Sequence, residues 1–171
     1  MCLIAVRQYG RALAYVHSQT SEICLAAVTQ SGQALRFVRM QTNDICLAAV
    51  ARDGQALRFV HAQTNEICVV AIEQNALALK FVNKQTKELC LLAVKKNGLA
   101  LKLVTRQTSA ICIAAIEQNT MALEYVKKQS KEMCRLAVSK NELALDFVEH
   151  TFLTQTWLIS DTGITKSYNI N

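Results

Sequence analysis

The sequence predicts an all-α solenoid of stacked two-helix repeats with a 22-residue period, and three observations carry that prediction. All seven cysteines, Cys2, Cys24, Cys46, Cys68, Cys90, Cys112 and Cys134, stand 22 residues apart. Each unit holds two apolar runs with helical rather than alternating spacing, and a turn dipeptide such as Asp53-Gly54 or Asn97-Gly98 separates them. A period of roughly 20 to 50 residues marks architectures in which each unit buries its apolar face against its neighbours alone.

Other columns hold the same register. Ala5, Ala27, Ala49, Ala71, Ala93, Ala115 and Ala137 recur at the cysteine interval, as do Val16, Val38, Val60, Val82, Val104, Val126 and Val148. Within the unit Gln41 to Ala62, QTNDICLAAVARDGQALRFVHA, Thr42 is the N-cap of a first helix, because its hydroxyl can accept a bond from an otherwise unpaired amide. Asp44 then places negative charge at the positive end of the helix dipole. Thr20, Thr64, Thr86, Thr108 and Ser130 repeat the cap, with Glu22, Glu66, Glu88 and Glu132 behind most of them. The first helix ends at Asp53-Gly54 and its equivalents, where Asn75, Asn119 and Asn141 are expected in the left-handed C-cap conformation. Helix B is predicted over about Gln55 to His61, with Ala56, Leu57, Phe59 and Val60 forming one apolar face and Arg58 outside it. The first helix is apolar almost all round from Ile45 to Val50, which predicts an inner layer buried on several sides. Its alanine column is explained by close approach of neighbouring repeats, since overpacking there would push them apart.

At 171 residues, with 51% apolar and 19% charged residues and no proline, the chain reads as one globular array. The repeats are assigned to residues 1–150 and a non-repeat tail or cap to 151–171. Met1 aligns with Ile23, so the first unit starts inside its helix without a threonine cap, which predicts either a truncated array or a start closed by another molecule. Met1 to Val6 matches the repeat and does not read as a signal peptide. No apolar run approaches the roughly 18 residues of a membrane-spanning helix. Arg135 replaces an aliphatic residue of the earlier repeats and predicts an exposed terminal face. In the tail, Trp157 is expected in a small hairpin or an extended cap against the last repeat, with disorder the competing expectation.

The cysteines are expected to be buried, reduced and structural. Equivalent helices of neighbouring repeats pack roughly 8–10 Å apart, beyond the Cα separation of about 7 Å that a disulfide tolerates. Adjacent thiols at that spacing cannot share one tetrahedral zinc with bonds of about 2.3 Å. An odd thiol count points to a reducing compartment. His17 and His61 lie two repeats apart, roughly 20 Å at that packing distance, so they cannot share a metal, and both are expected at the surface with His150. Neither a phosphate loop nor a nucleophile elbow is present. The sequence therefore predicts a non-enzyme with no metal and no cofactor.

Charge carries the one functional asymmetry, against a net charge of +6. The solvent position of helix B reads Ala14, Arg36, Arg58, Lys80, Lys102, Glu124, Asp146. Arg39, Lys84, Arg106, Lys127 and Lys128 follow at the helix ends and add to the field. These nine bases are the candidate binding residues. The expected function is a scaffold that binds another macromolecule, a protein with an acidic surface first of all, through this ridge and the variable helix ends. Two alternatives stay open: a sequence-blind nucleic-acid binder whose affinity falls steeply with salt, and a structural protein that self-associates through its array ends. The ridge also suits a purely solubilising face. Tyr15, Phe37, Phe59, Phe81, Tyr125 and Phe147 are assigned to the core rather than to base stacking. The column Gln19, Gln41, Gln63, Gln85, Gln107 and Gln129 is assigned to a ladder that bonds loop backbones between repeats.

Two stretches, CLLAVKKNGLALKLV from Cys90 to Val104 and CIAAIEQNTMALEYV from Cys112 to Val126, carry a family likeness. The chain resembles, over residues 1 to about 149, the short helical tandem repeats of a domain-of-unknown-function family found in giant viruses and amoeba-dwelling intracellular bacteria. The resemblance implies an all-helical repeat protein and a virion or host-cell cytoplasm as its setting. No activity or ligand site travels with it.

Overall fold

The computed structural model describes residues 2–153, in which α-helices alternate with six-residue 3-10 helices. The α-helices are α1 (Cys2–Gln8), α2 (Ser21–Gln30), α3 (Asn43–Arg52), α4 (Asn65–Gln74), α5 (Lys87–Lys96), α6 (Ser109–Gln118), α7 (Lys131–Lys140) and α8 (His150–Leu153). The 3-10 helices are η1 (Gly10–Tyr15), η2 (Gly32–Phe37), η3 (Gly54–Phe59), η4 (Ala76–Phe81), η5 (Gly98–Leu103), η6 (Thr120–Tyr125) and η7 (Glu142–Phe147). The chain divides into two compact units, Met1–Ala93 and Val94–Asn171. In the first unit α1 packs on α2, α2 on α3 and α3 on α4, while η1 to η4 pack successively beside them. In the second unit α6 packs on α7, and η5, η6 and η7 form the matching row. Each unit is thus a stack of α–η repeats, the packing of an α-solenoid. The tail expectation around Trp157 lies outside the described residues. Among the described residues no helix is long and apolar enough to cross a membrane.

The caps form as the sequence predicts. Thr20, Thr42, Thr64, Thr108 and Ser130 each accept a hydrogen bond from the amide three residues on, at 3.2–3.4 Å. The other end of the α-helix differs from expectation. Asn75, Asn119 and Asn141 are extended, with φ near −150° (Asn75 −148°, Asn119 −150°, Asn141 −153°), not left-handed. Their side chains look forward: each Oδ1 accepts from the amide two residues later, at 2.9–3.0 Å, and so caps the following 3-10 helix. Asp53 and Asn97 do the same. An extended linking residue turns the chain sharply enough that one side chain serves the second helix while the backbone amide still closes the first.

Helix B is therefore a 3-10 helix over Gly54–Phe59, shorter than the predicted span to His61, and the difference in period decides which residues it buries. Three residues per turn place residues i and i+3 in line. Gly54, Leu57 and Val60 form one buried line, Gln55 and Arg58 a solvent line, and Ala56 and Phe59 the line between them. The aromatic column accordingly sits at the rim rather than in the core. Phe37, Phe59, Phe81, Tyr125 and Phe147 are half-buried, and Tyr15 is 86% exposed. The first helix is also less enclosed than expected. Ile45, Cys46, Ala49 and Val50 are buried, but Leu47 and Ala48 are only half-buried on its outer face.

Glycine at the start of η2 marks a close approach. A Cβ on Gly32 would stand 2.5 Å from the carbonyl oxygen of Ala49 in the next repeat, closer than real side chains come. The alanine column lies on the same seam, fully buried at Ala27, Ala49, Ala71, Ala93, Ala115 and Ala137. Ala5, at the start of the first unit, is exposed.

The glutamine column joins the repeats. Gln41 Nε2 donates to the Phe59 carbonyl at 2.8 Å, and its Oε1 accepts from the His61 amide at 3.0 Å. Gln19, Gln63, Gln107 and Gln129 make the same pair of bonds to the repeat that follows each. These side chains satisfy two backbone groups at the ends of η2, η3, η4, η6 and η7 that no helix ladder reaches.

Two stability measurements follow. Leu57 is fully buried, so Leu57→Ala is expected to cost about 2–5 kcal/mol in urea denaturation. Gln63→Leu keeps the bulk but strips partners from the Phe81 carbonyl and the Asn83 amide. At roughly 0.5–1.5 kcal/mol per lost bond it is expected to lower stability by about 1–3 kcal/mol. An unchanged midpoint would remove the ladder from the account of stability.

Candidate functional site

The 3-10 helices project the predicted bases from their solvent line. Arg36 in η2, Arg58 in η3 and Lys80 in η4 are exposed on the first unit, and Lys102 in η5 is exposed on the second. None of them stands alone. The Arg36 guanidinium lies 5.1 Å from the centre of the Phe37 ring and 5.8 Å from that of Phe59. Arg58 lies 4.7 Å from Phe59 and 5.9 Å from Phe81. Lys80 stands 5.7 Å from Phe81, and in the second unit Lys102 stands 5.9 Å from Tyr125. Cation and ring thus alternate along the first unit, each arginine bridging the aromatic of its own repeat and that of the next. Such contacts are worth about 0.5–1 kcal/mol each at exposed sites and restrict otherwise mobile side chains.

Arg58 is held further by polar groups. Its guanidinium donates to Gln33 Oε1 at 2.6 Å, Gln33 Nε2 donates to Asp53, and Asp53 accepts from the Gln55 amide at 2.9 Å. The aromatic column and the basic column were both visible in the sequence, the aromatics assigned there to the core. Their interleaving was not, because it requires the three-residue period that puts Arg58 and Phe59 side by side at the surface.

The remaining candidates divide. Arg39 and Lys127 reach back one repeat: Arg39 Nη1 donates to the His17 carbonyl at 2.8 Å, and Lys127 Nζ to the Thr105 carbonyl at 3.2 Å. These two bases are engaged with backbone and belong to the inter-repeat bonding as much as to any outer surface. Lys84 lines a cleft of about 220 Å³ with Gln63 and Cys68, and Lys127 and Lys128 line one of about 530 Å³ with Gln107 and Cys112. Arg106 is exposed in the loop after η5. His17, His61 and His150 are all exposed, the first two directly behind η1 and η3. Among the described residues no three His, Cys, Asp or Glu side chains gather as a metal-binding group.

Six thiols, Cys24, Cys46, Cys68, Cys90, Cys112 and Cys134, are buried, whereas Cys2 is exposed and corrects the expectation of a uniformly buried column. Each buried Sγ donates to the Oε1 of the glutamine five residues earlier, at 3.4–3.8 Å. Thiol, glutamine and two backbone groups of the next repeat therefore share one node at Gln19, Gln41, Gln63, Gln107 and Gln129. Burial pushes all six thiols above their ordinary range, and Cys134, with the Glu149 carboxylate adding to the effect, is raised from 9.0 to about 11.

The sign of the pH dependence follows. Above pH 9 an unfolded chain loses thiol protons that the native state retains, so the native state binds more protons and stability falls as pH rises. Urea midpoints are expected to drop from about pH 9 to pH 11, less steeply in Cys134→Ala. At pH 8 a thiol reagent is expected to label Cys2 rapidly and the other six only on unfolding; fast labelling of several native thiols would contradict their burial.

Comparison with known proteins adds one likeness. Residues 86–129, from the threonine before α5 to the glutamine after η6, match a family model described as "Domain of unknown function (DUF4116)". No curated protein and no solved structure matches the chain.

Proposed function

We propose that the chain is a non-enzymatic repeat scaffold that binds another protein, one with an acidic surface, through the basic line of its 3-10 helices and the variable loops behind them. The observation that supports this reading is the cation–aromatic row formed by Arg36, Phe37, Arg58, Phe59, Lys80 and Phe81. A solubilising surface needs only charge, and mobile lysines supply it. A row in which guanidinium groups are pinned over rings has already lost much of its side-chain freedom, so a partner that meets it loses less on binding. The half-buried rings between the cations offer apolar area that a purely solvating face would avoid. Arginine is also the residue suited to planar, two-pronged recognition of carboxylates.

The rings argue against base stacking as the mode of action, because the cations lie over them. Sequence-blind phosphate binding by the same charges is the competing outcome of the test. The setting proposed is a reducing compartment, on the strength of an odd count of seven thiols. The family resemblance adds a virion or host-cell cytoplasm as the place to look.

Pull-down from the native cell, comparing the wild-type chain with the triple variant Arg36→Glu/Arg58→Glu/Lys80→Glu, tests the reading. A protein retained at low salt, resistant to nuclease and lost in the variant, is the expected result. Retention of nucleic acid alone, or an identical set of proteins on both baits, would overturn it.

A further inference from the structure

The first unit repeats its cation and its ring at one per 22 residues, and the spacing of that row narrows what can lie along it. Arg36 stands within 6 Å of rings in two successive repeats, as does Arg58, so successive rings of the row lie less than about 11 Å apart, in keeping with the ordinary packing distance of helices, roughly 8–10 Å. A ligand that pairs one acidic group with each cation must present acids at that interval and on one side. A polyproline II chain has three residues per turn and rises about 3.1 Å per residue. Every third residue then falls on the same face about 9 Å further along. A β-strand fits poorly, because its same-face positions come at about 6.6 and 13 Å. An α-helix reaches about 10.5 Å at seven residues, but its seven-residue positions drift around the axis by about 20° each time.

Chemistry points the same way as spacing. Aromatic slots recognise polyproline II segments in several unrelated domains, since the conformation is already formed before binding and costs little to order. Here Phe37, Phe59 and Phe81 are half-buried, and a cation lies over each of them, so the apolar surface open to a ligand is the part of each ring that its cation leaves uncovered. Asp53, the acid closest to the row in the bonding pattern, is occupied by Gln33 and the Gln55 amide. Glu22, Asp44, Glu66 and Glu88 stand instead in the first turns of the α-helices. The row itself is therefore positive.

We infer that the row formed by Arg36, Phe37, Arg58, Phe59, Lys80 and Phe81 is a docking surface for an extended acidic peptide in polyproline II conformation, with Asp or Glu at every third position and proline or small apolar residues beside the rings. The inference rests on the protein-binding reading above and specifies the partner segment.

Fluorescence anisotropy with three labelled synthetic peptides of equal charge tests it: a proline-rich peptide with Asp at every third residue, the same composition with irregular Asp spacing, and an alanine-rich helical peptide with Glu at every seventh. The first is expected to bind at least about tenfold more tightly than either control in moderate salt. Its binding should vanish in Arg36→Glu/Arg58→Glu/Lys80→Glu. It should weaken several-fold in Phe59→Leu, a change the fold tolerates because Leu103 occupies the equivalent position; circular dichroism of both variants verifies the helix content. Equal binding of the regular and irregular peptides, dependent on the three bases, would overturn the spacing inference and leave the acidic-protein reading standing. No peptide bound while an oligouridylate binds through the same bases would overturn both.

Discussion

Glutamines decide how these repeats hold together. A 3-10 helix of six residues ends with backbone groups that neither its own short ladder nor the following α-helix satisfies. Gln19, Gln41, Gln63, Gln107 and Gln129 answer this from the preceding repeat, each with one amide donor and one carbonyl acceptor. The same oxygen accepts from the cysteine thiol. Register between repeats is then set by directional bonds as well as by apolar packing, and a slip of one residue would break all of them together. Among the described residues no buried side-chain nitrogen or oxygen lacks a partner, so the polar ladder sits inside an apolar stack without an unsatisfied cost.

Close packing supplies the other half of the constraint. The buried alanines and the glycines at the start of η1, η2, η3 and η5 let one repeat's 3-10 helix meet the next repeat's α-helix at backbone distance. A second, alternating bond strengthens the seam where a glutamine ends the α-helix: Gln30 accepts from the Gly10 amide and Gln74 from the Gly54 amide. Arg52 stands at the intervening position. This two-repeat alternation lies beneath the 22-residue period and accounts for part of the variation at the end of the α-helices, which the sequence alone presented as free.

The outer surface inherits the same geometry. Because residues three apart line up on a 3-10 helix, the buried leucine and valine take one line and the cation takes the line opposite, leaving the aromatic at the rim beside it. Repetition then converts a local neighbour pair into a row in which each arginine meets two rings. In the second unit the column turns to Glu124 and Asp146, and the Glu124 carboxylate beside Tyr125 pushes the phenol above its usual range. The chemistry of the row thus changes sign along the sequence while the backbone repeats unchanged.

Much of this was legible in the sequence by itself. The repeat boundaries, the threonine caps, the buried leucine and valine columns and the role of the glutamines follow from comparing seven copies of one unit, because each copy meets the same packing demand and only the demanded residues recur. The helix type did not follow. Ala56, Leu57, Phe59 and Val60 satisfy an α-helical face as well as a 3-10 one, and hydrophobic spacing over six residues cannot separate periods of 3.6 and 3.0. Nor could the asparagines declare whether they close the helix before them or open the one after. Tertiary stacking decided both: the extended residue at Asp53 or Asn75 and the tighter helix behind it are what bring the glycine position of one repeat against the alanine carbonyl of the next. That choice carried Phe59 from the core to the rim and set it beneath Arg36 and Arg58, where composition recorded only a charge and an aromatic.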